Sequence, residues 1–116
     1  MKFEKVLIVE GKSDRIRVRR VLAEPIEIIC THGTISPYHL EELLTPYEEH
    51  EIYVFMDADE DGEKTRALFK REYPLAIHLY TEKVYKEVET TPYNVLAAVL
   101  QAAHFEVRPE FLIVRR

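Results

Sequence analysis

The run Asp57-Ala58-Asp59-Glu60-Asp61-Gly62 places three aspartates at alternate positions, directly after the apolar stretch Ile52-Tyr53-Val54-Phe55-Met56. Five acids, Asp57, Asp59, Glu60, Asp61 and Glu63, fall within seven residues. Carboxylates this crowded repel one another, and an oxygen-preferring divalent cation relieves the repulsion. Such a group suits phosphate-ester chemistry, in which negative charge must be offset as a bond breaks. A further acid, Glu10, stands in a similar setting. It ends the apolar run Lys5-Val6-Leu7-Ile8-Val9 and precedes Gly11-Lys12-Ser13.

The elements that must position these groups follow from the hydrophobic pattern. Lys5 to Val9 is a continuous β-branched run, as in a strand buried on both faces. Ser13 is a fair N-cap for a helix running to about Leu22, stopped by Ala23-Glu24-Pro25. Ile26 to Cys30 reads as a second strand, and Thr31-His32-Gly33-Thr34 as a loop. Pro37 opens a helix through Leu40, Leu43 and Leu44, broken near Pro46. Ile52 to Met56 is the third strand, and Glu63 to Tyr73 the helix after the aspartates. Leu75 to Tyr80 is the fourth strand. Thr91 and Pro92 start a last helix with an apolar stripe of Val95, Leu96, Val99, Leu100 and Ala103. Phe111 to Val114 is apolar enough to add a terminal strand at the sheet edge.

Strands alternating with helices imply a three-layer α/β/α fold, Rossmann-like, with a mainly parallel four-stranded sheet. In such sheets functional groups gather beyond the carboxyl ends of the strands, at a topological switch point. The strand order 2-1-3-4 makes strands one and three neighbours, with their ends about 5 Å apart. Glu10, Asp57, Asp59 and Asp61 then face one crevice. The blander alternative is a set of solvated acids at strand ends.

Three motifs nearly match. A calcium EF-hand loop requires a bidentate glutamate at its twelfth position, which is Leu68 here, and the preceding segment reads as strand. A phosphate-binding P-loop ending at Gly11-Lys12-Ser13 requires a glycine where Val6 stands in mid-strand. An aspartyl-phosphate enzyme of the haloacid-dehalogenase type would carry its aspartate pair after the first strand, not the third.

Glu10-Gly11 after strand one, followed by Asp57-x-Asp59-x-Asp61-Gly62 after strand three, resembles the Toprim domain of topoisomerases, bacterial primases, some nucleases and recombination mediators. The run from Asp57 to Arg66 looks especially like the type II topoisomerase version, except that Lys64 stands where those enzymes commonly have histidine. Val9-Glu10-Gly11-Lys12-Ser13-Asp14 and the helix start at Thr90-Thr91-Pro92 look like the Toprim ribonuclease that matures 5S ribosomal RNA. That enzyme has an additional RNA-binding region, whereas here one Toprim domain is expected to span residues 1–116.

The resemblance implies a magnesium-dependent nuclease or nuclease subunit acting on RNA or DNA, alone or with a partner protein, with manganese as a substitute ion. Asp57, Asp59 and Asp61 would hold metal, and Glu10 would act as general acid or base. Lys12, Gly11, Gly33 and Arg66 are the candidates for phosphate or substrate contact. Lys12 lies near a helix N-terminus, Gly33 permits close backbone approach, and Arg66 sits one turn into the helix after the aspartates. The alternative is a metal- or nucleotide-binding module without turnover that works with a partner. His32 reads more simply as a loop histidine, and Arg15, Arg17, Arg19 and Arg20 as a solvated helix surface. Tyr53 and Tyr73 read as packing residues.

Composition narrows the classes. With 47% hydrophobic and 32% charged residues in 116, the chain can bury a core and is not of the disordered type. A net charge of −5 argues against tight unassisted binding to nucleic acid. The longest strongly apolar run, Val95 to Leu100, is too short for a bilayer, and no signal segment is visible. The single cysteine, Cys30, excludes an internal disulfide. A cytoplasmic setting is expected.

Overall fold

The computed structural model describes residues 4–81 and 85–112. The chain alternates β1 (Lys5–Val9), α1 (Lys12–Val21), β2 (Glu27–Cys30), α2 (Pro37–Leu44), β3 (Glu51–Phe55), α3 (Glu60–Glu72), β4 (Ile77–Leu79) and α4 (Tyr93–Ala102). The strands form one parallel sheet in the order 2-1-3-4, the order expected from the sequence.

Side-chain alternation divides the core into two layers. Leu7, Val9, Tyr53 and Phe55 face Val18 and Val21 of α1 and Leu96 and Leu100 of α4. Val6, Ile8, Val54 and Met56 face Leu40 and Leu44 of α2 and Leu68 and Phe69 of α3. The apolar run Val6 to Val9 is therefore covered on both faces, as its lack of alternation requires.

Several boundaries differ from the sequence reading. Gly11, not Ser13, is the N-cap of α1, because the Asp14 carboxylate reaches back to accept the Gly11 N–H at 2.9 Å. Helix α3 begins at Glu60 rather than Glu63, since Asp59 caps it by accepting the Gly62 N–H at 2.7 Å. Ser36 caps α2 by accepting the His39 N–H. Pro46 does not simply break that helix: Thr45–Tyr47 tightens it into a 3-10 turn. The anticipated terminal strand is not found among the described residues, where Pro109–Phe111 forms a 3-10 turn. Residues 113 and 114 lie outside the described range. Instead, Val107 bridges antiparallel to Leu22, tying the segment after α4 to the end of α1. Among the described residues no helix is long and apolar enough to cross a membrane.

Candidate active site

Val9 and Phe55 are register partners, so Glu10 and Met56-Asp57 leave adjacent strands side by side. The backbone at Glu10 is held from its other flank. The Thr31 N–H donates to the Val9 carbonyl at 3.0 Å, and the His32 N–H donates to the Glu10 carbonyl at 2.7 Å. His32 and Gly33 take left-handed backbone conformations, with φ of 57° and 96°. Glycine occupies that region without the steric penalty a side chain brings, which accounts for Gly33 in this turn.

The Glu10 and Asp57 carboxyl groups meet within hydrogen-bonding reach. Burial, the bond to Asp57 and the charges of Asp57, Asp59 and Asp14 push Glu10 up to about 8. Two carboxyl groups this close cannot both be charged cheaply, and with burial this holds Glu10 toward its protonated form. Glu10 Oε2 is buried and has no hydrogen-bond partner among the described residues. Asp57 Oδ1 accepts the Val88 N–H at 2.8 Å, and Asp59 Oδ1 is used in capping α3. Each aspartate therefore has Oδ2 left for another partner.

This donor set fits a hard divalent cation, which prefers charged oxygens and would favour loss of the Glu10 proton. Among the described residues no three acidic, histidine or cysteine side chains already converge on one point as a closed cage. A cation bound here would be completed by water or substrate oxygens, as magnesium commonly is.

Gly62 lets α3 begin so close to these groups. A Cβ at that position would lie 2.0 Å from the Asp57 carbonyl oxygen and 3.1 Å from Asp59 Oδ1. The glycine is required for close approach, not for an unusual φ.

The other expected site residues are distributed unevenly. Asp61 is exposed in the first turn of α3 and is not among the charges acting on Glu10. Lys12 is exposed at the start of α1, beside Gly11. Arg66 departs from the expectation of a substrate contact, since only 1% of it is exposed. One of its terminal nitrogens donates to the carbonyls of Met56 at 2.7 Å and Leu79 at 2.8 Å. Its guanidinium also lies 4.1 Å from the centre of the Tyr80 ring. It pins the ends of β3 and β4 together from beneath the site.

Asp14, which the sequence suggested only as a helix-start acid, lies close to this group. It is buried, and its pKa is pushed up to about 6, by burial first, with Asp57, Glu89 and Glu87 adding to it and the Gly11 N–H opposing. Its spacing of one helical turn after Glu10 was the available signal. The segment carrying Glu87, Val88 and Glu89 had no local signal. It folds over Asp57 through the Val88 N–H, while the Lys86 carbonyl accepts the Ala58 N–H.

The profile of the Toprim domain matches residues 5–90, a span that includes Glu10, Asp57 and the cap of α3. The chain belongs to the Toprim family. It is similar to a small Toprim domain protein structure from Bacillus stearothermophilus, with 49% identity and a TM-score of 0.93, covering 100% of this chain and 98% of that one. It is also 49% identical over 109 residues to the uncharacterized protein YusF of Bacillus subtilis (strain 168), covering 94% of this chain and 75% of that protein. Ribonuclease M5 1 of Ligilactobacillus salivarius (strain UCC118) is 32% identical over 84 residues, which are 72% of this chain and 44% of that enzyme. Ribonuclease M5 of Bacillus anthracis is 28% identical, with the same two coverages. This Toprim chain thus matches less than half the length of either ribonuclease.

Proposed function

We propose that this Toprim protein is a magnesium-dependent phosphodiester-cleaving nuclease, or the nuclease subunit of an assembly, acting on nucleic acid. The observation that carries the reading is the Glu10–Asp57 pair, two carboxyl groups brought together at the ends of adjacent strands. The similarity to ribonuclease M5 supports a nucleic-acid substrate.

Asp57 and Asp59 would hold the cation through their Oδ2 atoms, with Asp61 acting at a second ion or through water. Manganese would substitute for magnesium. Bound there, the ion would supply charge neutralisation at the phosphate and stabilise the leaving oxygen. Glu10 keeps a proton near neutral pH and is placed to give it to a leaving hydroxyl, as a general acid does. Val88 fixes Asp57 by its backbone N–H, so that carboxylate presents one defined oxygen. Lys12, with Gly11 at the N-terminus of α1, would meet a phosphate oxygen, and Gly33 would permit close approach of the backbone.

The net charge of −5 favours a second reading, a metal- or nucleotide-binding module that depends on a partner for nucleic-acid contact. A cleavage assay with structured RNA, single-stranded DNA and duplex DNA, in magnesium, manganese or chelator, separates the two. The nuclease reading expects cleavage in either metal that is lost in chelator, in Glu10→Gln and in Asp57→Asn. Stoichiometric metal binding with no cleavage of any substrate would leave only the module.

A further inference from the structure

A long groove lies away from Glu10 and Asp57, on the α2 and α3 side of the sheet. Two cavities, of about 630 and 700 Å³, share Glu48, Ile52, Glu72 and Tyr73 and so form one channel. Tyr38 stands beside one part of it and is 70% exposed. The other part opens past Leu75, 93% exposed, to Ile77 on the edge strand β4. Three of the chain's large exposed apolar side chains thus gather along one channel, a pattern that marks interaction surfaces.

The charge along the groove is mostly negative. Glu41, Glu48, Glu49 and Glu72 line it, with Arg71 3.2 Å from Glu72 as the neighbouring cation, while the Glu51 carboxylate is taken up by the Tyr53 hydroxyl at 2.7 Å. The Tyr73 hydroxyl registers that field: burial first, then Glu41, Glu72 and Glu48, raise its pKa. His50 is engaged elsewhere, 3.0 Å from Glu4.

We propose that this groove docks a basic segment of a partner protein, one that carries apolar anchors between its lysines or arginines. The glutamates would pair with the cations, and the faces of Tyr38 and Tyr73 would take cationic side chains as well. Leu75 and Ile77 would cover the apolar anchors. Among the described residues β4 pairs on one side only, and its other side offers backbone groups to an extended segment. Nucleic acid and anionic lipid would be disfavoured by Glu41, Glu48 and Glu49 along this rim. A second copy of the chain related by a two-fold axis would set glutamate rim against glutamate rim. The proposal does not depend on cleavage, because none of the lining residues belongs to the Glu10–Asp57 site.

The test uses the full chain and three synthetic peptides, alternating arginine with leucine, glutamate with leucine, and arginine with serine. In ¹⁵N–¹H spectra the arginine–leucine peptide is expected to shift Tyr73, Leu75 and Ile77. It should bind about tenfold or more tightly than either control, a difference that titration resolves readily. The double variant Glu48→Lys, Glu72→Lys alters exposed side chains, and a thermal melt checks that it folds. It should lose about tenfold for the arginine–leucine peptide and gain for the glutamate–leucine peptide. Four results would overturn the proposal. These are equal binding of all three peptides, shifts centred on Glu10 and Asp57, a concentration-dependent dimer formed through the groove, and binding that appears only after residues 1–3 are removed. The last would make the chain's own N-terminus the occupant.

Discussion

A carboxyl group held at about 8 by burial and three neighbouring acids responds to pH in a defined direction. The folded-state pKa of Glu10 lies above its ordinary value of 4.5. Its contribution to stability is therefore complete below 4.5 and is lost as pH rises through about 8. Metal-free protein should weaken over that window in denaturant titrations, and Glu10→Gln should flatten the fall. An unchanged slope in Glu10→Gln would show that Glu10 does not hold the proton responsible. Gly62→Ala tests the same site sterically. Its new methyl meets the Asp57 carbonyl, a backbone atom that cannot swing aside. A loss of about 1–3 kcal/mol in equilibrium unfolding is expected. That Glu10 and Asp57 come together was legible because each directly follows an apolar run that had to be a strand. Asp14 was not, because a helix-start aspartate also serves the dipole and the cap, and only burial separates those roles. Arg66 was misread because spacing alone does not reveal that the ends of β3 and β4 close over it.

At the scale of elements, the fold was legible where burial on both faces forces a continuous apolar strand. Hence β1, β2 and β3 were placed within a residue or so, and their order followed from bringing the two acidic ends together. Caps were less legible, since Asp59 had been read as a ligand and also starts α3. The segment between β4 and α4 was opaque, because its anchors are long-range. Arg17 donates to the Thr91 carbonyl and stacks over Tyr93 at 4.2 Å, while Arg20 lies 5.7 Å from the same ring. Part of the arginine face of α1 is thus a clasp, not the solvated surface the sequence suggested. The clasp steadies the stretch whose Val88 N–H holds Asp57. Arg17→Ala should cost about 1–2 kcal/mol through the lost stacking and hydrogen bond. The more telling measurement is amide exchange at Val88, which should speed up more than exchange in β1 or β3. Uniform acceleration would reduce the clasp to general packing.

For the whole molecule, the two core layers leave the charge at the carboxyl ends of the strands as a local excess within a net −5. Salt and a site-bound cation relieve that excess in different ways. Salt screens exposed charges over a Debye length and acts weakly on partly buried ones. A cation that binds only the folded state adds RT ln(1 + [L]/Kd), about 2.7 kcal/mol at a hundredfold excess over Kd. Magnesium should therefore raise the melting temperature well beyond sodium chloride of equal ionic strength. The gain should grow from acid toward pH 8, because the cation competes with the proton held by Glu10. Asp57→Asn should remove most of the magnesium effect and leave the small sodium effect in place. If sodium chloride matched magnesium at every pH, the acids at the strand ends would be a screened surface patch and not a metal site.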